Sequence, residues 1–227
     1  KNDELHGLST YYWEDGGVSE QSNYVDGKIE WSKGWNEVGL LIYETNYKNG
    51  FLSGITRGWY DNGQLAYERS FDGGRVTGSL TRWFANGEVM HHVVFDNGSG
   101  VDRQYVSPGN LERETFFKNG VIDGKQTVKY WDRMSEVNWK NGVRNGNFIE
   151  WALDSEGNIV YKKKEGSYLD GELDGNCKQW YPNNQLHKEY NFVDGQYDGI
   201  CTEWHEYGVL KVEHLFDQGV KISSKYF

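Results

Sequence analysis

The sequence predicts an all-β fold of about nine stacked β-hairpin repeats that form one elongated, twisted antiparallel meander sheet. Two recurring turns lead to this prediction. Nine glycines, spread along the 227 residues at intervals of 22 to 29, each stand three positions after an aromatic residue, and a second, Asn-Gly-like turn falls within most of the intervals. The composition agrees, because 29 glycines, 16% aromatic residues and only 2 prolines favour many tight turns between strands.

The outer turn of each unit carries the aromatic–x–x–Gly signature. The glycines are Gly27, Gly50, Gly74, Gly98, Gly120, Gly142, Gly171, Gly195 and Gly219, and their aromatic partners are Tyr24, Tyr47, Phe71, Phe95, Phe117, Trp139, Tyr168, Phe192 and Phe216. Asp or Asn immediately precedes seven of the glycines, and successive glycines lie 22 to 29 residues apart. We therefore predict a single repeat domain over residues 1–227, with units that end near these glycines.

The inner turn of each unit is an Asn-Gly pair or a close relative, such as Asp15-Gly16, Asn62-Gly63 and Asn183-Asn184. These pairs tolerate the positive φ angles of type I′ turns, which match the twist of paired strands and so close hairpins. Two turns per unit imply two strands per unit. The sequence therefore predicts about eighteen short strands.

Residues between the turns alternate as a strand requires. Leu65 and Phe71 are six positions apart and share one face, whereas Glu68 points to the other face. The glutamate recurs as Glu44, Glu68, Glu114, Glu189 and Glu213. Because these positions are interchangeable between units, we expect the glutamates to be solvated or paired across strands rather than catalytic. The regularly spaced tryptophans are expected to belong to the core.

The charge of the chain limits its partners. The net charge is −10, from 24 basic and 34 acidic residues, which disfavours nucleic acid and anionic membranes and favours a basic protein. No stretch is long and apolar enough to insert into a membrane, and Lys1–Leu8 does not resemble a signal peptide. We favour a cytoplasmic location, with the periplasm and secretion left open. The oligomeric state does not follow from the sequence.

The sequence offers no motif for chemistry. Cys177 and Cys201 occupy equivalent positions of adjacent units, so we expect them two strands apart, at roughly 9–10 Å. A disulfide needs Cα atoms closer than about 7 Å, which predicts two free thiols. No nucleophile elbow, phosphate loop or metal-ligand spacing is present, so we predict no catalytic residue, no metal and no cofactor.

Two segments break the repeat period. The inner turn near Asp132–Ser135 has lost its glycine, and Tyr161–Gly166 adds three residues and carries three lysines. Irregularity in a repeat array can mark a binding loop. The candidate partner-binding residues are therefore Arg133, Lys162, Lys163 and Lys164, together with the less regular Trp13, Trp31 and Trp131.

The repeat resembles the bacterial MORN-repeat variant, whose pattern is roughly Gly-x₄-aromatic-Tyr-x-Asn-Gly-x-Leu-x₂-Glu-x₂-Tyr-x-Asp-Gly. The unit from Gly54 to Gly74 matches through Trp59, Tyr60, Asn62, Gly63, Leu65, Glu68 and Phe71. The units Gly175–Gly195 and Gly199–Gly219 match as well. The resemblance implies a long sheet of stacked hairpins without a catalytic motif. It also implies a role as an antitoxin or immunity protein, since many members look like partners of toxins.

Two functions compete on these grounds. The first is a non-enzymatic scaffold that binds another protein, here a basic toxin domain that it neutralises. The alternative is a carbohydrate-binding or cell-wall-binding module that uses exposed aromatic residues. The alternative ranks second, because the chain lacks the Trp-Tyr-Tyr-Phe run typical of such repeats.

Overall fold

A computed structural model describes residues 5–227 of the chain. No helix occurs in this range, and the predicted all-β fold of stacked hairpins is confirmed. The strands are β1 (Gly7–Tyr12), β2 (Val18–Val25), β3 (Lys28–Trp35), β4 (Leu41–Lys48), β5 (Phe51–Leu52), β6 (Gly54–Trp59), β7 (Leu65–Asp72), β8 (Arg75–Trp83), β9 (Val89–Val94), β10 (Gly100–Ser107), β11 (Asn110–Lys118), β12 (Val121–Lys129), β13 (Arg133–Lys140), β14 (Val143–Leu153), β15 (Ile159–Leu169), β16 (Glu172–Leu173), β17 (Gly175–Trp180), β18 (Leu186–Val193), β19 (Gln196–Tyr197), β20 (Gly199–Trp204), β21 (Leu210–Asp217) and β22 (Val220–Tyr226).

The strands form two antiparallel sheets rather than the one expected. One sheet holds the nine strands β1 to β9, and the other holds the thirteen strands β10 to β22. The strand count exceeds the expected eighteen partly because β5, β16 and β19 are two-residue pieces. Each piece is separated from the next strand by a single residue, and that next strand begins at a glycine with positive φ, namely Gly54, Gly175 or Gly199.

Side chains replace backbone pairing between β9 and β10, which explains the division into two sheets. The Sδ atom of Met90 accepts the backbone N–H of Tyr105 at 3.4 Å, and Nε2 of His91 lies 3.2 Å from the carbonyl oxygen of Val101. The two strands therefore lie side by side without a backbone ladder of their own. The turn pattern alone carries no sign of this break.

The chain divides into two compact units. Unit 1 comprises Lys1–Leu111 with Phe117–Val121, and unit 2 comprises Glu112–Phe116 with Ile122–Phe227. Each unit has a small core. In unit 1 the buried residues are Val76, Leu80 and Phe95, and in unit 2 they are Phe148, Cys177 and Phe192. The assignment of residues 1–227 to a single repeat domain stays a prediction.

The outer turns have the backbone geometry expected of type I′ turns. Both central residues have positive φ, as at Asn49 (55°) with Gly50 (83°), and the same holds for all nine of the predicted turns. The turn glycines also form hydrogen bonds between successive hairpin repeats. The N–H of Gly74 donates to the carbonyl oxygen of Leu52, and that of Gly195 donates to Leu173, at 2.8 and 2.9 Å.

The inner turns differ from the type I′ geometry expected for them. At Asn62-Gly63 only Gly63 has a positive φ, of 80°. The reason lies in the Asn62 side chain, whose Oδ1 accepts the N–H of Gln64 while its Nδ2 donates to the carbonyl oxygen of Ala85 in the next unit. Asparagine thus recurs here because its side chain closes its own turn and reaches the following one.

A tyrosine adds a second link between successive inner turns. The hydroxyl of Tyr60 donates to the carbonyl oxygen of Trp83 at 2.8 Å, and that of Tyr181 donates to Trp204 at 3.0 Å. Both pairs are 23 residues apart. Successive hairpin repeats are therefore joined by turn contacts at both edges of the sheet as well as by the pairing of their strands.

The two faces of the sheets differ in chemistry, as the alternation predicts. The Glu ladder pairs across strands. Arg57 contacts both Glu44 and Glu68 at 3.2 and 2.8 Å, and Lys178 contacts Glu189 at 3.4 Å. The regular tryptophans are half-buried rather than core residues.

The opposite face carries the outer aromatics. In unit 2, Tyr197 stacks between Phe192 and Phe216, with ring centroids 4.6 and 5.1 Å away. The buried residues of the two cores include the outer aromatics Phe95 and Phe192. We call this surface the aromatic face, and the opposite one the Glu face.

Candidate functional site

An acidic groove surrounds the first predicted binding residue, Trp13. Its volume is about 430 Å³, and Trp13, Glu14, Asp15 and Glu37 line it. The indole N–H of Trp13 donates to the carbonyl oxygen of Trp35 at 3.2 Å, which fixes the ring while 37% of the residue stays exposed. We call this site the acidic Trp groove.

The carboxylates of the acidic Trp groove have no basic partner. Among residues 5–227 no ion pair reaches Glu14, Asp15 or Glu37. Asp15 accepts the backbone N–H of Gly17 at 2.9 Å, so its position is fixed by its own turn. The groove therefore presents an indole ring beside concentrated negative charge, which suits a cationic side chain.

Trp31 lies in a second groove of unit 1. This groove has a volume of about 410 Å³ and is lined by Gln21, Trp31, Lys33, Trp35, Glu44 and Asn46. Lys33 lies 5.9 Å from the centre of the Trp31 ring and also contacts Glu44 at 3.3 Å. Trp31 is thus half-buried, and its cation contact is already made within the protein.

Trp131 is the most exposed tryptophan named above, with 88% of its surface accessible. It follows Tyr130, whose ring holds the guanidinium of Arg133 at 4.5 Å. Arg133 also lies 3.9 Å from the carboxylate of Asp132. The inner turn without a glycine is still closed by the N–H of Tyr130, which donates to the carbonyl oxygen of Arg133 at 2.7 Å, and it leaves an indole in solvent beside a stacked Tyr–Arg pair.

The three lysines of the second irregular segment are already engaged. Lys162 contacts Glu165 at 2.7 Å and lies 4.4 Å from the ring of Trp180, while Lys163 contacts Glu150 at 3.4 Å. Lys164 lies 5.5 Å from the ring of Phe148. The extra residues are absorbed by two register shifts between β14 and β15, so the segment is strand rather than loop.

The sheet of unit 2 brings the two irregular segments close together. Arg133 pairs with Ala152, and Ala152 pairs in turn with Tyr161. One strand, β14, therefore separates the segments, which places them roughly 10 Å apart. The sequence offers no sign of this proximity, because nearly thirty residues separate the segments along the chain.

A charged cluster on the aromatic face of unit 1 was not expected from the sequence. It consists of Arg69, Arg82 and Asp102, and both arginines line a cavity of about 360 Å³. A signal was present, because Arg69 stands two residues before Phe71 and so shares the aromatic face. The equivalent positions of the other repeats hold Ser22, Thr45, Val93, Thr115, Val137, Gly166, Tyr190 and His214.

The nucleophilic and metal-binding groups form no reactive constellation in residues 5–227. Cys177 and Cys201 are both free and buried, on strands separated by β18, and burial raises the pKa of each thiol. No group of three His, Cys, Asp or Glu side chains is placed to hold a metal ion there. The described residues also contain no helix of the length and apolarity that a membrane span needs.

The fold and these grooves define a repeat protein of stacked β-hairpins. Residues 5–26, 52–72 and 173–194 each match the family model described as MORN repeat variant. Two of these segments correspond to units in which the resemblance was seen in the sequence, and the third contains the acidic turn at Trp13. No curated protein matches the chain.

The matches carry a general expectation about function. MORN repeats often serve as modules that bind proteins or membranes, and the repeat is a non-catalytic module. Each matched segment covers one inner turn with its two flanking strands. The family pattern therefore accounts for the scaffold, and the first matched segment includes Trp13, Glu14 and Asp15 of the acidic Trp groove.

Proposed function

We propose that this protein is a non-enzymatic scaffold that binds a basic protein, and that its partner is a toxin that it neutralises by direct contact. The acidic Trp groove is the observation that carries the proposal. Three carboxylates that have no cationic partner among residues 5–227 stand around an exposed indole, in a chain with a net charge of −10. A Lys or Arg side chain of a partner satisfies the carboxylates and stacks on the ring.

The charge pattern elsewhere supports this choice of groove. Glu44, Glu68 and Glu189 of the Glu ladder are each neutralised by Arg57 or Lys178. Because these ion pairs compensate their charge within the sheet, the ladder glutamates attract a charged partner only weakly. The groove carboxylates have no such ion pair among residues 5–227, so they steer a basic partner towards this end of unit 1.

Affinity capture from extract of the source cells tests the binding. The baits are the wild-type chain, the groove variant Glu14→Gln/Glu37→Gln, and the matched control Glu156→Gln/Glu206→Gln. The control changes the net charge equally, at exposed inner-turn carboxylates of unit 2. We expect a basic protein to be retained at low salt by the wild type and the control, and lost by the groove variant and in about 0.5 M salt. Equal retention by all three baits contradicts the groove.

Co-expression tests the neutralisation separately. The captured protein is expressed alone and together with the wild-type chain, and growth is measured. Growth arrest that the wild type relieves and the groove variant does not relieve supports the antitoxin role. A captured partner that does not affect growth removes that role, while the binding result stands.

Carbohydrate binding is a second candidate, favoured by the exposure of Trp131. A bare indole beside Tyr130 offers a stacking platform for a sugar ring. Tryptophan fluorescence titrated with cell-wall oligosaccharides tests this role, with Trp131→Ala as the comparison. No change in the wild type at millimolar sugar removes this candidate.

A further inference from the structure

The arginine on the aromatic face of unit 1 occupies a position that carries an apolar or hydroxyl side chain in most other repeats, the exceptions being Gly166 and His214. Arg69 lies in β7 and pairs with Thr56 of β6 and Leu80 of β8. Thr56 and Leu80 are both buried. The arginine therefore places a positive charge between two buried residues of the neighbouring strands.

Three phenyl rings hold the Arg69 guanidinium. Its central carbon lies 5.3 Å from the ring centre of Phe71, 5.9 Å from Phe95 and 5.0 Å from Phe117. The Nε and Nη2 atoms are buried and have no hydrogen-bond acceptor in the described structure. The rings attract the cation through their faces, but they supply no counter-charge.

The carboxylate of Asp102 acts electrostatically on Arg69 but is already bound to a second arginine, Arg82. Asp102 is buried and accepts two hydrogen bonds from Arg82, through Nε at 3.1 Å and Nη2 at 3.0 Å. Burial lowers the pKa of Arg69, and the like charge of Arg82 lowers it further against the attraction of Asp102. The cluster therefore has two cations and one anion, and one positive charge is left over in an acidic protein.

A cavity of about 360 Å³ lies beside this unneutralised charge. It is lined by Thr45, Tyr47, Leu52, Thr56, Tyr67, Arg69, Phe71, Leu80 and Arg82. The volume falls at the small end of the range for ligand sites. The lining combines the cations with hydroxyl groups and with apolar walls, which is the composition that orients an amphipathic ligand.

We propose that this cavity binds a carboxylate carried on an apolar body, with the carboxylate against Arg69 and the body against Phe71 and Leu52. A monoanion matches the single excess charge, and the guanidinium edge suits a planar carboxylate. The source is either a small free acid or the C-terminal residue of a peptide. Both present the same group to the cavity.

Binding to the full chain is measured by calorimetry with both sources. The small acids are benzoate, 4-phenylbutyrate and hexanoate, and the peptide is a tetrapeptide that ends in phenylalanine. The corresponding amides serve as neutral controls, and inorganic phosphate serves as an anion without an apolar body. We expect saturable binding of at least one acid, with the amide at least tenfold weaker. The source is the one whose carboxylate binds more tightly.

Two variants locate the binding. Arg69→Met removes the charge and keeps much of the volume, so we expect at least a tenfold loss of affinity. Arg57→Met is the matched control, because Arg57 lies on the neighbouring strand with its charge in the Glu ladder. Its affinity should match the wild type.

The proposal fails if no acid binds the wild type at 10 mM, or if phosphate binds as tightly as the acids. It also fails if Arg69→Met binds as well as the wild type. The comparison of acid with amide needs no variant, so it tests the proposal even if Arg69→Met does not fold.

Discussion

The phenol ring of Tyr67 lies directly over the backbone of Gly58 on the neighbouring strand. The two residues are paired across β6 and β7, and a methyl group at Gly58 would come within 2.7 Å of the Cζ atom of Tyr67. Gly34 and Tyr43 show the same arrangement one unit earlier, with a corresponding distance of 2.6 Å. Glycine at this position therefore makes room for a ring on the aromatic face.

We expect Gly58→Ala to destabilise the protein by about 1–3 kcal/mol, because the added methyl forces the Tyr67 ring away. The free energy of unfolding in urea measures this cost. In a Tyr67→Val background the same substitution should cost much less, since the ring is absent. An equal cost in both backgrounds would show that the overlap with the ring is not the cause.

We expect two substitutions at one outer-turn residue, Asn141, to have different effects on stability. Asn141 has a φ of 52°, in the left-handed region. Asn141→Gly should leave the thermal midpoint unchanged or raise it, whereas Asn141→Val should cost about 1–2 kcal/mol because a β-branched residue is strained there. A midpoint that falls equally for both variants would contradict the role of backbone conformation.

The tyrosine links between inner turns are open to a conservative test. Tyr60→Phe removes the hydrogen bond to the carbonyl oxygen of Trp83 and should cost about 0.5–1.5 kcal/mol. Amide exchange in the following turn should accelerate as well. Tyr207→Phe is the control, because Tyr207 is 74% exposed, and it should change neither quantity. Similar effects of the two variants would argue against the link.

We expect the folded protein to lose stability at alkaline pH, because two thiols and one phenol are buried. Burial raises the pKa of the Cys177 and Cys201 thiols, and burial together with Tyr197 raises that of Tyr190. These groups stay protonated in the folded state after they ionise in the unfolded chain. Their contribution is therefore complete below the ordinary thiol pKa of about 8.5 and is lost as the pH rises towards the folded-state values.

Denaturant unfolding between pH 7 and 10 measures this loss. Cys201→Ala should reduce the slope of stability against pH, even though its stability at pH 7 is lower. Lys178→Gln, on the Glu face of the same sheet, should leave the slope unchanged. A wild-type stability that is constant over this range would refute the prediction.

The turns made the hairpin fold predictable, because Gly and Asn at positive φ leave a visible mark in the sequence. The pairing of Glu44 and Glu68 through Arg57 also followed from simple alternation. The boundary between the two sheets did not follow, since it depends on Met90 and His91 replacing a ladder with side-chain contacts. Such a substitution depends on the distance between strands, which periodicity does not encode.

The predicted binding residues differ in exposure and in ion pairing. Trp131 lies where the repeat period is broken, and it is almost entirely in solvent. Lys162 and Lys163 also lie where the period is broken, yet each is paired with a glutamate. The difference arises because a strand can absorb extra residues as bulges and then neutralise them locally. Their role in binding stays a prediction.

Within each of the two sheets, every strand after the first pairs with a strand that lies shortly before it in the chain, and this arrangement has a kinetic consequence. The N–H of Gly74, for example, donates to the carbonyl oxygen of Leu52, which lies only 22 residues earlier in the chain. Each newly formed hairpin thus docks on a template that is already complete, and the chain closes only short loops as it folds. A polypeptide of this kind can zip up from its amino end during translation, one hairpin for every two dozen residues that leave the ribosome.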